Sequence, residues 1–432
     1  MRKLIGKGLR AVAGRGLIVL GGFLVSSFAA QLLPKEQAGW FFLLFNIATF
    51  ASLVGRFGLE TTALRFLSED VADKNYYRLS ESFKKIKLLL VMQSSLVAGV
   101  ISIVLSLMPY DISTGSIIWV ATYALLLSFQ FFYSEALRSL SMLVASGLFG
   151  GALVNLTTAF ITFWWIGETD NFTIFFKVLV GLSVLNIAIC EWYSKGVIKK
   201  RTPQFSTNNR EPLSIKEIYK VSSPLGVRSV LAFVLTNSDL WVISLFLEPS
   251  SVAVYGAVSR LAFLINFGLQ LVNVLVAPKV ARINFKGNLE HLEKVVRQST
   301  TLATVPTLFL FAVLVVFGEA TLGFVFGDSY TNGYQVMVII LAGRCFNAVS
   351  GPCGYTLMMT GHQKFVRKSI FWVTLTTVTI AVVLSFIWPS LTLIALIYAL
   401  GAIAQVFSLM FKVKREFGFY TFAHPKYLRW KA

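Results

Sequence analysis

Positive charge in this chain is sorted between alternate gaps of an otherwise hydrophobic sequence. Thirty-four of the thirty-nine Lys and Arg residues lie in every second gap, whereas the other side holds only Lys35 and Lys177. Loops rich in Lys and Arg stay on the cytoplasmic side of a membrane, so the alternation predicts both a number of spans and an orientation. Arg2, Lys3, Lys7, Arg10 and Arg15 at the start, and Lys412, Lys414, Arg415, Lys426, Arg429 and Lys431 at the end, are expected on that same side.

Composition supports the membrane reading. Hydrophobic residues make up 56% of the chain, charged residues 14%, and the mean hydropathy is +0.72, more apolar surface than a soluble domain could cover. A net charge of +19 would suggest nucleic acid as a partner of a soluble protein. Here the charge falls in loops that meet the anionic inner leaflet, and no nucleic-acid partner is expected. Cys190, Cys345 and Cys353 sit in or at the ends of apolar runs without metal-ligand spacing, so they read as small buried hydrophobes and no metal or cofactor is expected. The first apolar stretch is too long for a cleavable signal.

A helix needs roughly 20 residues to cross the hydrocarbon, and lipid forces helix over open strand. Twelve such spans are expected: 16–33, 38–55, 88–109, 116–134, 141–165, 172–192, 221–246, 254–277, 302–317, 334–358, 370–388 and 391–411. Tyr76, Leu79, Phe83 and Ile86, and again Leu289, Leu292, Val295 and Val296, recur at helical spacing among charges. Each set reads as a short amphipathic helix lying on the inner leaflet, or as a solvated loop.

The chain also repeats. Pro34, Ala38 and Trp40 return as Pro249, Ala253 and Tyr255, and Arg15 and Arg65 have counterparts in Arg228 and Arg282. This predicts an all-α integral membrane protein of two pseudo-symmetric six-helix bundles, 1–193 and 221–411, with a cytoplasmic linker at 194–220 and a cytoplasmic tail at 412–432. Ser214 to Glu217 has the capping-box pattern of a helix start.

Three further segments carry a family likeness: Arg56-Phe57-Gly58-Leu59-Glu60-Thr61-Thr62-Ala63-Leu64-Arg65-Phe66, Asp239-Leu240-Trp241-Val242-Ile243, and the turn from Glu248 to Tyr255 leading to Ser259-Arg260-Leu261-Ala262. With them the whole chain resembles the polysaccharide (Wzx-type) flippases of the multidrug/oligosaccharidyl-lipid/polysaccharide exporter superfamily. That resemblance implies a V-shaped bundle working by alternating access in a bacterial inner membrane. Its implied cargo is an oligosaccharide on an undecaprenyl-diphosphate type of lipid, with H+ or Na+ as coupling ion and a polysaccharide polymerase and chain-length proteins as partners. Charge and periodicity alone point to no such substrate.

Ionisable groups inside spans mark the candidate site, because each costs about 2.5 to 3.5 kcal/mol to insert at a helix centre. Arg228 and Asp239 lie eleven residues apart, within about 20° of one helix face, roughly 16 Å from each other. They face a lumen, or are structural charges met by neighbouring helices. Arg344, followed by Asn347, Gly351 and Pro352, predicts a broken or bent helix whose freed carbonyls line a cavity. Arg228, Arg344 and Arg260 are the candidates for binding a diphosphate, which a guanidinium fork engages bidentately. Asn266, Gln270 and Asn273 form a polar stripe for sugar hydroxyls, or for helix contacts. Tyr398 with Gln405, and Tyr123 with Gln130, read as core packing. Asp239, Glu60 and Glu135 are the candidate ion-coupling groups.

No P-loop and no cluster of acid, base and nucleophile is present, and His291, His362 and His424 are scattered, so an enzyme is not expected. A cation-coupled multidrug antiporter of the same superfamily is the alternative, disfavoured by intramembrane arginines that repel cationic drugs.

Overall fold

A computed structural model describes residues 2–108, 112–201, 213–285 and 288–424. For 2–13, 15, 199–201, 266–271, 273–275, 277–279, 281–282 and 285 it describes the backbone only. The described chain is all helix and loop, as a polypeptide in hydrocarbon must be to satisfy its own backbone. Ten helices are long and apolar enough to cross a membrane, and the shorter apolar stretches Gly16–Leu32 and Pro249–Ile265 complete the twelve expected spans. Two compact units divide the chain, Met1–Val230 and Leu231–Ala432. Their boundary falls inside a helix, and much of the expected linker is helical as well.

The first unit holds α1 (Arg2–Leu32), α2 (Lys35–Arg56), α3 (Leu59–Ala72), α4 (Tyr76–Leu107) and α5 (Thr114–Ser139). Then come α6 (Leu143–Gly147), α7 (Leu153–Ile161), α8 (Thr173–Arg201) and the first turns of α9 (Ile215–Phe246). The expected span over 141–165 is one bent helix, in which five-residue π-helical segments follow α6 and α7. Gly151, at φ 122°, sits in the first of them. Helix α2 is the unit's core, with Phe41 packed on Phe175 and Phe176, and Phe45 on Tyr123. Lipid is as apolar as Leu, so these contacts stabilise by dispersion and fit rather than by leaving water.

The amphipathic segments differ from expectation. Residues 76–87 are the first turns of α4, and Leu79, Phe83 and Ile86 pack on Phe132, Tyr133 and Ile218 rather than on lipid. In the second unit, Leu292 and Val296 start a long helix and pack on Leu357 and Met410. The capping box is present: the Ser214 amide donates to Glu217 Oε2 (2.8 Å) and the Glu217 amide to Ser214 Oγ (3.2 Å).

At the α3–α4 turn Lys74 is left-handed, the Asn75 amide donates to the Asp70 carbonyl (2.9 Å), and Asn75 Oδ1 accepts from the Arg78 amide (3.0 Å). Arg78 stands 3.4 Å from the buried Asp70 carboxylate. Burial raises the Asp70 pKa from 3.8 to about 6, against the pull of Arg78.

The second unit holds the rest of α9, α10 (Pro249–Phe285), α11 (Leu289–Val316), α12 (Gly318–Phe326), α13 (Tyr334–Ser350), α14 (Cys353–Met359), α15 (Gln363–Ile387) and α16 (Leu391–Phe417). The expected break is there. Helix α13 ends at Ser350, Gly351 takes φ 75° against Thr300, and Pro352 precedes α14. Part of the freed backbone is satisfied from the end of the chain, since Thr421 Oγ1 donates to the Ser350 carbonyl (2.5 Å) and the Ala423 amide to the Val349 carbonyl (3.2 Å). Helix α16 runs past the expected span to Phe417, and Gly418 closes it at φ 80°. The expected tail is therefore partly helix and partly a segment packed on α13.

Two outcomes follow from this packing. A Cβ on Gly147 would lie 2.5 Å from Gly14 Cα, whereas one on Gly99 meets nothing within 4 Å. Gly147→Leu should cost about 2 kcal/mol or more, seen as a lowered thermal midpoint in detergent, with Gly99→Leu neutral; equal shifts would contradict the contact. Asp70 keeps its proton to about pH 6 when folded but only to about 3.8 when unfolded, so its contribution falls as pH rises between those values and is level above them. Asp70→Asn should flatten the dependence of the midpoint on pH in that window, and an unchanged slope would refute the assignment.

Candidate functional site

The second unit encloses a cavity of ≈ 260 Å³ walled by α9, α10, α13, α14 and α16. Its polar lining is Thr236, Asp239, Tyr255, Arg344, Asn347, Tyr355, Tyr398 and Gln405, and the α13–α14 break forms part of its wall. A short turn at Glu248 joins α9 to α10, which lets a side chain on one helix meet a side chain on the other across the hairpin.

Asp239 is 7% exposed, and both of its oxygens are engaged. Oδ1 accepts from the Leu240 amide (2.9 Å) and Oδ2 from the Tyr255 hydroxyl (2.7 Å). Arg344 acts on this carboxylate through space, without a direct ion pair among the described residues. The Arg344 guanidinium makes a long hydrogen bond, Nη2 to the Thr236 carbonyl at 3.5 Å. Tyr398 shares a hydrogen bond with Ser238 (2.9 Å). Gln405 Oε1 accepts from Ser369 Oγ (3.4 Å), while its Nε2 is buried with no partner among the described residues.

Two sequence candidates, Asp239 and Arg344, thus line one cavity. Arg260, half-buried on α10, is outside its lining and makes contacts of its own. The backbone at Asn266, Gln270 and Asn273 continues α10, but their side chains lie outside the described residues. Arg228 belongs to the first unit, half-buried, with Nε unpartnered.

Glu60 and Glu135 are each beside an arginine. Arg56 Nε lies 3.4 Å from Glu60 across the turn from α2 to α3, its guanidinium 4.0 Å above Phe131 and bonded to Ser52 (2.7 Å). Glu135 pairs with Arg138 at 3.1 Å on the surface of α5. In the same turn Gly58, at φ 81°, lets the Ser222 carbonyl approach so that a Cβ would lie 2.5 Å from it. The Arg56–Phe66 segment therefore seats α9 in the first unit.

Two members of the cavity carry little signal in the sequence. Tyr398 and Gln405 lie seven residues apart, a spacing that marks one helix face but does not distinguish a packed face from a hollow one. Tyr255 is visible as a repeat position, and its partner Asp239 as an intramembrane charge; only the hairpin brings them together. Tyr123 and Gln130 are buried in the first unit, where Gln130 donates to Ser183 (2.6 Å), so core packing holds for that pair.

Comparison with known proteins agrees with this architecture. The chain is 22% identical over 359 residues to a probable low-salt glycan biosynthesis flippase, Agl15, of Haloferax volcanii, covering 80% of this chain and 69% of that protein. Among solved structures, an inward-facing multidrug resistance MATE transporter of the MOP superfamily matches with a TM-score of 0.72 at 12% identity, covering 94% of this chain and 98% of that one. The lipid II flippase MurJ, in an inward closed conformation, matches with a TM-score of 0.65 at 14% identity, covering 95% and 87%. The fold is that of the MOP superfamily, a fold of transporters and flippases. The sequence profile described as polysaccharide biosynthesis protein matches residues 10–283, more than half of the 432, and the chain belongs to that family.

Proposed function

We propose that the protein is a flippase that carries a polyprenyl-diphosphate-linked oligosaccharide, of the undecaprenyl type, from the cytoplasmic to the outer face of a bacterial inner membrane by alternating access. Both termini are cytoplasmic in this reading, as the charge alternation requires. The observation that carries it is Arg344, a charge within a span, lining a cavity with its fork uncommitted to any carboxylate among the described residues. A site of that kind suits phosphate oxygens, which a guanidinium binds bidentately without losing its charge.

In this scheme Arg344, Arg228 and Arg260 receive the diphosphate, and Asn266, Gln270 and Asn273 meet sugar hydroxyls. Asp239 is the group for H+ or Na+ coupling, preferred over Glu60 and Glu135 because those two are held by Arg56 and Arg138. The product would pass to a polysaccharide polymerase and its chain-length proteins.

Replacing Arg228, Arg344 or Arg260 by Ala tests the scheme. At matched protein levels, Arg344→Ala should lower complementation of surface-polysaccharide synthesis by about tenfold or more, the scale of one lost charge-assisted contact. Full activity of all three variants would end it.

A cation-coupled multidrug antiporter is the second reading, favoured by the fold similarity to MATE transporters. Deletion of the gene decides between them. Lipid-linked repeat units should accumulate on the cytoplasmic face if the flippase reading holds, while hypersensitivity to cationic dyes with normal polysaccharide would favour the antiporter.

A further inference from the structure

We propose that the segment after α16 is a gate: residues 418–424 form a strap that closes one end of the second-unit cavity and swings away to open it.

The strap reaches deep. Helices α15 and α16 are joined at 388–390, so the start of α15 and the end of α16 lie on one face of the membrane. The seven residues of α14, about 10 Å of helix, separate the α13–α14 break from the turn into α15 on that face. From the end of α16 the strap covers this depth. Thr421 Oγ1 donates to the Ser350 carbonyl (2.5 Å), the Ala423 amide to the Val349 carbonyl (3.2 Å) and the His424 amide to Thr301 Oγ1 on α11 (3.2 Å). Gly351 to Tyr355, next along the chain, line the cavity. Phe419, 5% exposed, shares one apolar cluster with Cys353, Val406 and Leu409 of the cavity wall. The strap is therefore packed behind the wall it closes.

Its construction suits a moving part. Phe419 and Thr421 are buried while Tyr420 and Phe422 are half-buried, the two-residue period of an extended chain with one face inward. The carbonyls it meets are among the last of α13, a position where water can take over when a protein donor leaves. Gly418 closes α16 at φ 80°, where a glycine lets the chain change direction without steric cost. On the outward face the Lys414 ammonium donates to the Tyr420 hydroxyl (2.7 Å), and the Tyr420 ring lies 6.1 Å from that of Phe422. Aromatic and basic groups of this kind settle in the headgroup layer, so a released strap has a second resting place.

The repeat isolates the device. An offset of 215 residues sets Gly351 and Pro352 opposite Ala136 and Leu137, inside the unbroken α5. Break, cavity and strap occur together in the second unit.

Thiol labelling of the full chain in membrane vesicles tests the gate, and because it reads access rather than transport it is independent of the flippase reading. Two versions keep one cysteine each, Cys353 of the cavity wall or Cys190 of the first unit, 3% and 0% exposed, with the other two replaced by Ser. The probe is a membrane-impermeant maleimide. Local opening of the strap should label Cys353 about tenfold or more faster than Cys190, and only from the face on which α16 ends. Phe419→Ala should speed Cys353 about tenfold further and leave Cys190 unchanged. Thr421→Val, which removes one hydrogen bond and keeps the ring, should act in the same direction more weakly, and it decides the matter if Phe419→Ala does not stay monodisperse. Equal rates for the two cysteines behind an unaltered strap would mean that Cys353 is reached only when the whole fold opens, and would overturn the gate. Labelling from the opposite face would do the same, as would a variant effect that is absent or shared equally by Cys190.

Discussion

Hydrocarbon offers no hydrogen-bond partner, so wherever the chain departs from regular helix it must complete itself from within. Most of the described chain complies by being helix, and several of its departures are supplied by side chains or by later segments. In the first unit, Asn186 Nδ2 donates to the Phe149 carbonyl (2.8 Å) inside the π-helical segment, and Ser134 Oγ donates to the Ser146 carbonyl (2.9 Å) just before it. In the second unit, residues from the end of the chain meet carbonyls at the end of α13. Irregular backbone that is neither lipid-facing nor fully paired is the natural lining of a hollow, and the α13–α14 break is part of the cavity wall.

Burial of charge obeys the same rule. Asp239 persists in a span because two donors and a nearby guanidinium replace water. The repeat sharpens the point. Pro249 falls 215 residues after Pro34, and the same offset sets Leu24 and Trp40 opposite Asp239 and Tyr255, so the first unit carries no carboxylate and no phenol there. The sequence pattern recurs at this offset, while the buried carboxylate and its tyrosine partner occur in the second unit.

Several features are legible in the order of the amino acids alone. Charge alternation specifies the spans, Gly351-Pro352 the break, and Ser214 with Glu217 the start of α9. The pairings of Arg56 with Glu60 and Glu135 with Arg138 are also readable, being four and three residues apart. The destination of an amphipathic face is not. Periodicity says that Leu79, Phe83 and Ile86 are covered, but lipid and protein are equally apolar, so the pattern does not say by which. The cavity is hidden for a related reason: Tyr398 and Gln405 become its lining only through the meeting of α16 with helices far away in sequence, Tyr398 and Ser238 being 160 residues apart, information that no local window holds.

The repair of α13 has a consequence for assembly. Ser350 leaves the ribosome well ahead of Thr421, its partner 71 residues later. Between those moments this kink must be tolerated half-finished, held by provisional contacts to water, headgroups or insertion machinery. Completion of the second unit thus waits for a stretch of polypeptide made after α16, which acts as the stitch that seals the kink.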